Sequence, residues 1–158
     1  MAIETGANGK PRLAPGGGTD LRFSLSHSGH IALIAVRLGL EVGVDVEALR
    51  SGVDGAAIAR DVFGEAEPRT SGLLATQARG EAFFRAWVRR EALAKATGHG
   101  IVSAPAPEVA SRYTVRDLDG LPGYAVALAS EGGEWVVRWA DSEALRFGPL
   151  GQELPATP

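Results

Sequence analysis

The chain has no cysteine. That excludes disulfides, thiolate metal sites and a cysteine nucleophile. Lysine is nearly absent too: of the 16 basic residues, all but Lys10 and Lys95 are arginine. With the heavy load of Ala and Gly this reads as a composition bias rather than a functional signal. It makes the two lysines worth noting, because both fall inside motifs. No large excess of one charge is present either. The formal charge of −3 gives no global pull toward nucleic acid or an anionic membrane. The start of the chain, Met1 to Leu13, lacks the apolar core of a signal peptide. The most apolar stretch, Ile31 to Val46, is interrupted by Arg37, Glu41 and Asp45, too much charge for a bilayer span. The expected location is the cytoplasm. The 158 residues suffice for one domain, or two small halves, with a real core.

Patterning along the chain predicts strands, then helices, then strands, an α+β class. Met1 to Asp20 is rich in Gly and Pro and reads as loop, with a short strand at its very start. Leu21 to Leu25 predicts a strand running into a tight turn at Ser26-His27-Ser28-Gly29. Ile31 to Val36 and Glu41 to Glu47 predict a hairpin across Arg37-Leu38-Gly39-Leu40. Their Ile, Ala and Val runs lack strict alternation, which implies burial on both faces. Asp54 to Phe63 predicts a short helix capped by Asp54, and Ser71 to Ala78 another. Glu81 to Thr97 is the best helix, with Phe83, Phe84, Trp87 and Ala94 largely on one side and Gly98 as its C-terminal cap. Tyr113 to Leu118, Tyr124 to Ala129 and Trp135 to Trp139 predict strands, and the tail is expected to fray.

Two stretches carry chemistry. Gly43-Val44-Asp45-Val46-Glu47 puts two carboxylates two residues apart on a strand, so both side chains leave on one face. Trp87-Val88-Arg89-Arg90-Glu91-Ala92-Leu93-Ala94-Lys95 puts Glu91 and Lys95 four apart on a helix, on a shared face. Three converging carboxylates suit a hard divalent cation such as Mg2+, which takes oxygen ligands and keeps positions for a phosphate. Each element also has a plainer reading. Asp45 and Glu47 alone are what a solvent-facing strand end looks like. Glu91 with Lys95 alone is a surface ion pair worth about 0.3–0.5 kcal/mol.

The order of the motifs goes further. Gly9-Lys10-Pro11, then Ser26-His27-Ser28-Gly29, then Gly43-Val44-Asp45-Val46-Glu47, then Trp87-x-x-Arg90-Glu91-Ala92-x-x-Lys95-x-x-Gly98 resembles the 4′-phosphopantetheinyl transferases of the Sfp type. The resemblance covers about residues 8 to 129. It implies a fold of two similar α/β halves, and Mg2+-dependent transfer (with Mn2+ as substitute metal) of phosphopantetheine from coenzyme A to a serine of an apo acyl or peptidyl carrier protein. Asp45, Glu47 and Glu91 are then the metal ligands, and Glu91 and Lys95 the catalytic pair, Glu91 as candidate base for the carrier serine. Lys10, Ser26, His27, Arg90 and Lys95 are expected to hold coenzyme A. Trp87, Phe83 and Phe84 pack beneath the site. Arg90 stands where the family usually has Lys, Val88 where it has a hydroxyl residue, and Ser24 where it has Asn.

The main departure is at the front, where the family carries a further stretch before the Gly-Lys-Pro loop. Residues 1–50 therefore read as a remnant of the first half, 51–141 as the second half with the catalytic helix, and 142–158 as tail. Strands without a covering layer expose apolar surface. The expectation is a longer natural chain, or a short form that regains cover by self-association; the intact carboxylates argue against decay. Two rival readings stand beside the transferase: a module that binds coenzyme A or a carrier without transfer, and a metal-dependent phosphoanhydride hydrolase. The carrier's expected docking point is near Val62 and Phe63. No nucleic-acid or membrane partner is expected.

Overall fold

A computed structural model describes residues 2–14, 19–50, 73–100 and 105–141. The helix expected over Asp54 to Phe63, the docking point at Val62 and Phe63, and the tail 142–158 lie outside these residues.

The chain opens with β1 (Ile3–Thr5) and β2 (Pro11–Leu13), an antiparallel pair joined through a 3-10 turn at Ala7–Gly9. Next come β3 (Leu21–Ser28), β4 (Ile31–Leu38) and β5 (Val42–Ala48). The long helix α1 (Leu73–Thr97) follows, then a single turn of helix, α2 (Pro107–Ala110), and finally β6 (Tyr113–Asp117) and β7 (Tyr124–Glu131). The mixed α+β class is as expected.

The central sheet is antiparallel, in the order β5-β7-β6. Its two faces divide by the period of the strand. On one face Ala125, Ala127 and Ala129 of β7 meet Val88, Ala92 and Ala96 of α1, all of them buried. Small side chains on both sides let helix and sheet approach closely. On the other face Val44, Val46 and Val126 pack against Ile31, Leu33 and Ala35 of β4. Because Val44 and Val46 face β4, the alternate residues Gly43, Asp45 and Glu47 face α1. The shared face expected for the two carboxylates is present.

Several expectations change. The tight turn lies at Gly29-His30, with Gly29 at φ +59°, so Ser26, His27 and Ser28 are strand residues. That two-residue loop joins β3 to β4 in full register, from Ser28↔Ile31 to Leu21↔Leu38. The hairpin therefore forms one strand earlier than predicted, and β5 leaves to pair with β7. Double-sided burial holds for β5 but not for β4. Ile34 (63%), Val36 (56%) and Leu38 (69%) stand exposed beside Leu25 (47%), an uncovered apolar face of the kind expected from the sequence.

The two helices predicted over 71–97 are one, because Gly80 continues the helix rather than ending it. Glycine in a helix interior costs about 0.5–1 kcal/mol, which packing readily offsets. The expected cap is present: Gly98 takes φ +71° and its N–H bonds the Ala94 carbonyl at 2.9 Å. Trp135 to Trp139 forms no ladder; instead the Trp135 ring lies under the Arg116 guanidinium, 5.0 Å from its centroid. No helix among the described residues is long and apolar enough to cross a membrane.

Candidate active site

One edge of β5 is taken by the backbone of β7. The other meets β3, and the contact is made by side chains. The hydroxyls of Ser24, Ser26 and Ser28 receive the backbone N–H groups of Val44 (3.1 Å), Val46 (3.2 Å) and Ala48 (3.0 Å). Each serine thus meets the residue twenty positions on, a parallel alignment in which hydroxyls stand where carbonyls usually do. A hydroxyl keeps a hydrogen to give. Ser26 gives its hydrogen to Asp45 Oδ1 at 2.7 Å, and Ser28 gives its own to Glu47 Oε2 at 2.8 Å.

From the helix side Lys95 Nζ donates to the same Asp45 Oδ1, also at 2.7 Å. The surface pair considered for Glu91 and Lys95 is thus replaced by a bond across the helix–strand interface. Asp45 and Glu91 are each only 4% exposed. Burial, then the Asp45 charge, pushes the Glu91 carboxyl above the usual carboxylate range; Glu47 adds to this, while Lys95 and Arg90 pull it back. Asp45, Glu47, Lys95 and Arg90 thus all lie near enough to Glu91 to act on its charge.

Asp45 Oδ2 and Glu91 Oε1 are buried, and neither has a hydrogen-bond donor. A buried acceptor left without a partner costs about 1–3 kcal/mol. Two such carboxylate oxygens, on facing elements, suit a cation, and the all-oxygen set suits a hard one. Among the described residues no three His, Asp or Glu side chains enclose a metal-sized space as they stand. Asp45 and Glu91 offer open oxygens, and Glu47 is turned to Ser28.

Of the other expected residues, Arg90 lies beside Glu91, while His27 and Lys10 lie farther off. His27, next to Ser26 on β3, points by alternation to the opposite face and is exposed. Lys10 lies at the C-terminal end of α1, in an ion pair with Glu41 and hydrogen-bonded to the Ala96 carbonyl. Beside it Asn8 Nδ2 donates to the Gly98 carbonyl at 2.9 Å. The Gly9-Lys10-Pro11 loop therefore caps α1, whose last carbonyls want donors and where a positive charge is favoured. Lys10, Arg22, Glu41 and Thr97 also line a cavity of about 460 Å³. Arg90 is half-buried on α1 next to Glu91.

Three residues of the site stand inside or beside the quoted motifs with no role expected of them: Ser24, Ser28 and Gly43. A Cβ on Gly43 would stand 2.1 Å from the Ala92 carbonyl oxygen and 2.4 Å from the Ala96 nitrogen, so only glycine lets α1 lie on β5 here. The serines had a visible signal, the spacing Ser-x-Ser-x-Ser on a strand.

A family model described as the 4′-phosphopantetheinyl transferase superfamily matches residues 41–139. The chain is 37% identical over 108 residues to the 4′-phosphopantetheinyl transferase HetI of Nostoc sp. strain PCC 7120, covering 66% of this chain and 44% of that protein. It is 39% identical over 94 residues to the 4′-phosphopantetheinyl transferase AcpT of Escherichia coli O157:H7, covering 59% of this chain and 47% of that protein. Against AcpT of Salmonella typhi the identity is 38%, with the same coverage of 59% and 47%. The chain thus spans about half the length of the curated relatives it matches. The family match takes in β5, α1, β6 and β7, the elements that carry Asp45, Glu47, Glu91 and Lys95, and the chain belongs to the 4′-phosphopantetheinyl transferase superfamily.

Proposed function

We propose that this chain carries the catalytic centre of an Mg2+-dependent 4′-phosphopantetheinyl transferase of the Sfp type, acting on an acyl or peptidyl carrier protein. The observation that carries the reading is the pair of buried, donorless oxygens, Asp45 Oδ2 and Glu91 Oε1, beside the Lys95 ammonium. That pairing supports a site for a cation and a phosphate together. Asp45, Glu47 and Glu91 would hold the metal, which when bound neutralises phosphate charge and polarises the scissile anhydride.

The carrier serine oxygen attacks the β-phosphorus of coenzyme A, and the bond from that phosphorus to the bridging oxygen breaks. The leaving group is 3′,5′-adenosine diphosphate. The serine proton goes to Glu91, directly or through a water. Lys95, one helical turn from Glu91, balances charge on the phosphoryl oxygens as the anhydride opens. Arg90 adds positive charge on the same helix. The cavity beside Lys10 offers room for the nucleotide end of the substrate, and His27 is then an outer contact reached by the 3′-phosphate.

The test is release of 3′,5′-adenosine diphosphate from coenzyme A and Mg2+, with and without an apo carrier. Release only with carrier supports the transferase. Release without carrier would make the chain a phosphoanhydride hydrolase. Tight coenzyme A binding with no release over several carriers would make it a binding module.

A further inference from the structure

The three serines of β3 satisfy β5 in the same way, yet they differ in one respect. Ser24 receives the Val44 N–H and meets no carboxylate among the described residues. Ser26 and Ser28 receive an N–H and also donate to the carboxylate one residue earlier, Asp45 and Glu47. An ordinary backbone ladder could satisfy the N–H groups of β5 but could donate nothing to the side chains, because a carbonyl only accepts. The hydroxyl does both at once.

We propose that Ser28 is a positioning residue for the metal carboxylate Glu47, locking its rotamer through a hydroxyl anchored on the Ala48 N–H, and that Ser26 does the same for Asp45. The inference rests on the metal role of these carboxylates proposed above.

Three observations support it. Ser28 is buried, only 9% exposed, and bonded on both sides, so its hydrogen has a fixed direction. At Glu47 the neutral Ser28 donor orients the carboxylate and leaves its charge for a cation, whereas Asp45 Oδ1 takes the Lys95 ammonium as well as Ser26. The two serines engage one oxygen of each carboxylate, Asp45 Oδ1 and Glu47 Oε2; for Asp45 the other oxygen, Oδ2, is the buried donorless one. Hydrogen bonds that orient metal ligands in this manner matter, and their loss commonly weakens metal affinity about 10–100-fold. The same bonds assign Ser26 an inward role, since both its hydrogen and a lone pair are committed within the protein.

The experiment is a Mn2+ titration of the full chain, followed by the electron paramagnetic resonance of free Mn2+, with folding checked by circular dichroism on the same samples. Ser28→Ala and Ser24→Ala each delete one hydroxyl-to-strand bond, so a purely structural role moves both alike. The expected result is a Kd for Mn2+ raised about 10-fold or more in Ser28→Ala, unchanged within about two-fold in Ser24→Ala, and restored in Ser28→Thr, whose hydroxyl and β-branched shape suit a strand. Ser28→Cys, close in size and a weak donor, takes the place of the alanine variant if that one does not fold. Equal affinities in all folded variants would overturn the positioning role while leaving the metal site intact. A wild-type chain that binds no Mn2+ would overturn the metal reading itself, and the positioning role with it.

Discussion

Gly43 on β5 and Ala92 on α1 are in direct backbone contact: a Cβ on Gly43 would lie 2.1 Å from the Ala92 carbonyl oxygen. This contact sets the distance between the strand that carries Asp45 and Glu47 and the helix that carries Glu91 and Lys95. Gly43→Ala cannot be absorbed by a side-chain rotation, because the obstacles are backbone atoms. The expected cost is about 1–3 kcal/mol, the usual range for overpacking, read as a lower urea midpoint. The Lys95–Asp45 bond is expected to loosen with it. An unchanged midpoint would mean that the helix does not sit this close.

Lys95 is bonded to Asp45 Oδ1 and one-third exposed. Lys95→Met removes the ammonium but keeps the apolar stem. Transfer is expected to fall at least about 100-fold, the scale of losing one preorganised electrostatic contact. Mg2+ affinity is expected to hold or tighten, because a cation competing for Asp45 is removed. Kinetics and calorimetry on the same variant separate the two effects; loss of metal binding instead would make Lys95 a structural partner of the site.

The carboxyl of Glu91 is raised above its usual range, chiefly by burial. A raised folded-state value means that the fold favours the protonated form. That contribution is fully present below the unfolded value, about 4.3, and is lost as pH rises through the higher folded value. Without metal, Tm should therefore decline across this window. Glu91→Gln should flatten the decline and be more stable than wild type at neutral pH. Mg2+ should stabilise the wild type increasingly as pH rises through the same window, and should do little for Glu91→Gln.

At the far side of α1, Arg89 grips Asp117 with two bonds of 2.6 Å, and Arg85 lies 3.5 Å away. The Arg89 hydrogen bond lowers the Asp117 carboxyl below its usual range. The sign is opposite to that of Glu91: the stability is present above the unfolded value, about 3.9, and is lost as pH falls through the lowered folded value. Arg89 is half exposed, so Asp117→Asn is expected to cost only about 0.5–1 kcal/mol at pH 7. That difference should shrink toward zero in acid melts.

The carboxylates and the helix were legible because their spacing expresses simple periods. Two residues put Asp45 and Glu47 on one strand face, and four put Glu91 and Lys95 on one helix face. The C-terminal stop at Gly98 was legible for the same local reason. What escaped depended on contacts distant in sequence. Whether Ile31 to Leu38 pairs backward with β3 or forward with β5 turns on a two-residue loop at Gly29-His30 and on the competing claim of β7. Lys10 drew its expected role from its motif; that its ammonium also engages Glu41 and the end of α1 is a contact that no local pattern announces. Gly43 looked like part of a strand motif, and its reason is a helix carbonyl about fifty residues away. The serine spacing was visible, but its meaning needed β5 alongside.

The central claim is that Asp45, with Glu47 and Glu91, forms a metal-dependent centre for phosphopantetheine transfer. Its most direct test is the intact mass of an apo carrier protein after incubation with this chain, coenzyme A and Mg2+, beside an Asp45→Ala sample. The account predicts a gain of one phosphopantetheine with the wild-type chain and none with the variant. An equal gain with Asp45→Ala, or none in either sample across fatty-acid, polyketide and peptide-synthetase carriers, would contradict it.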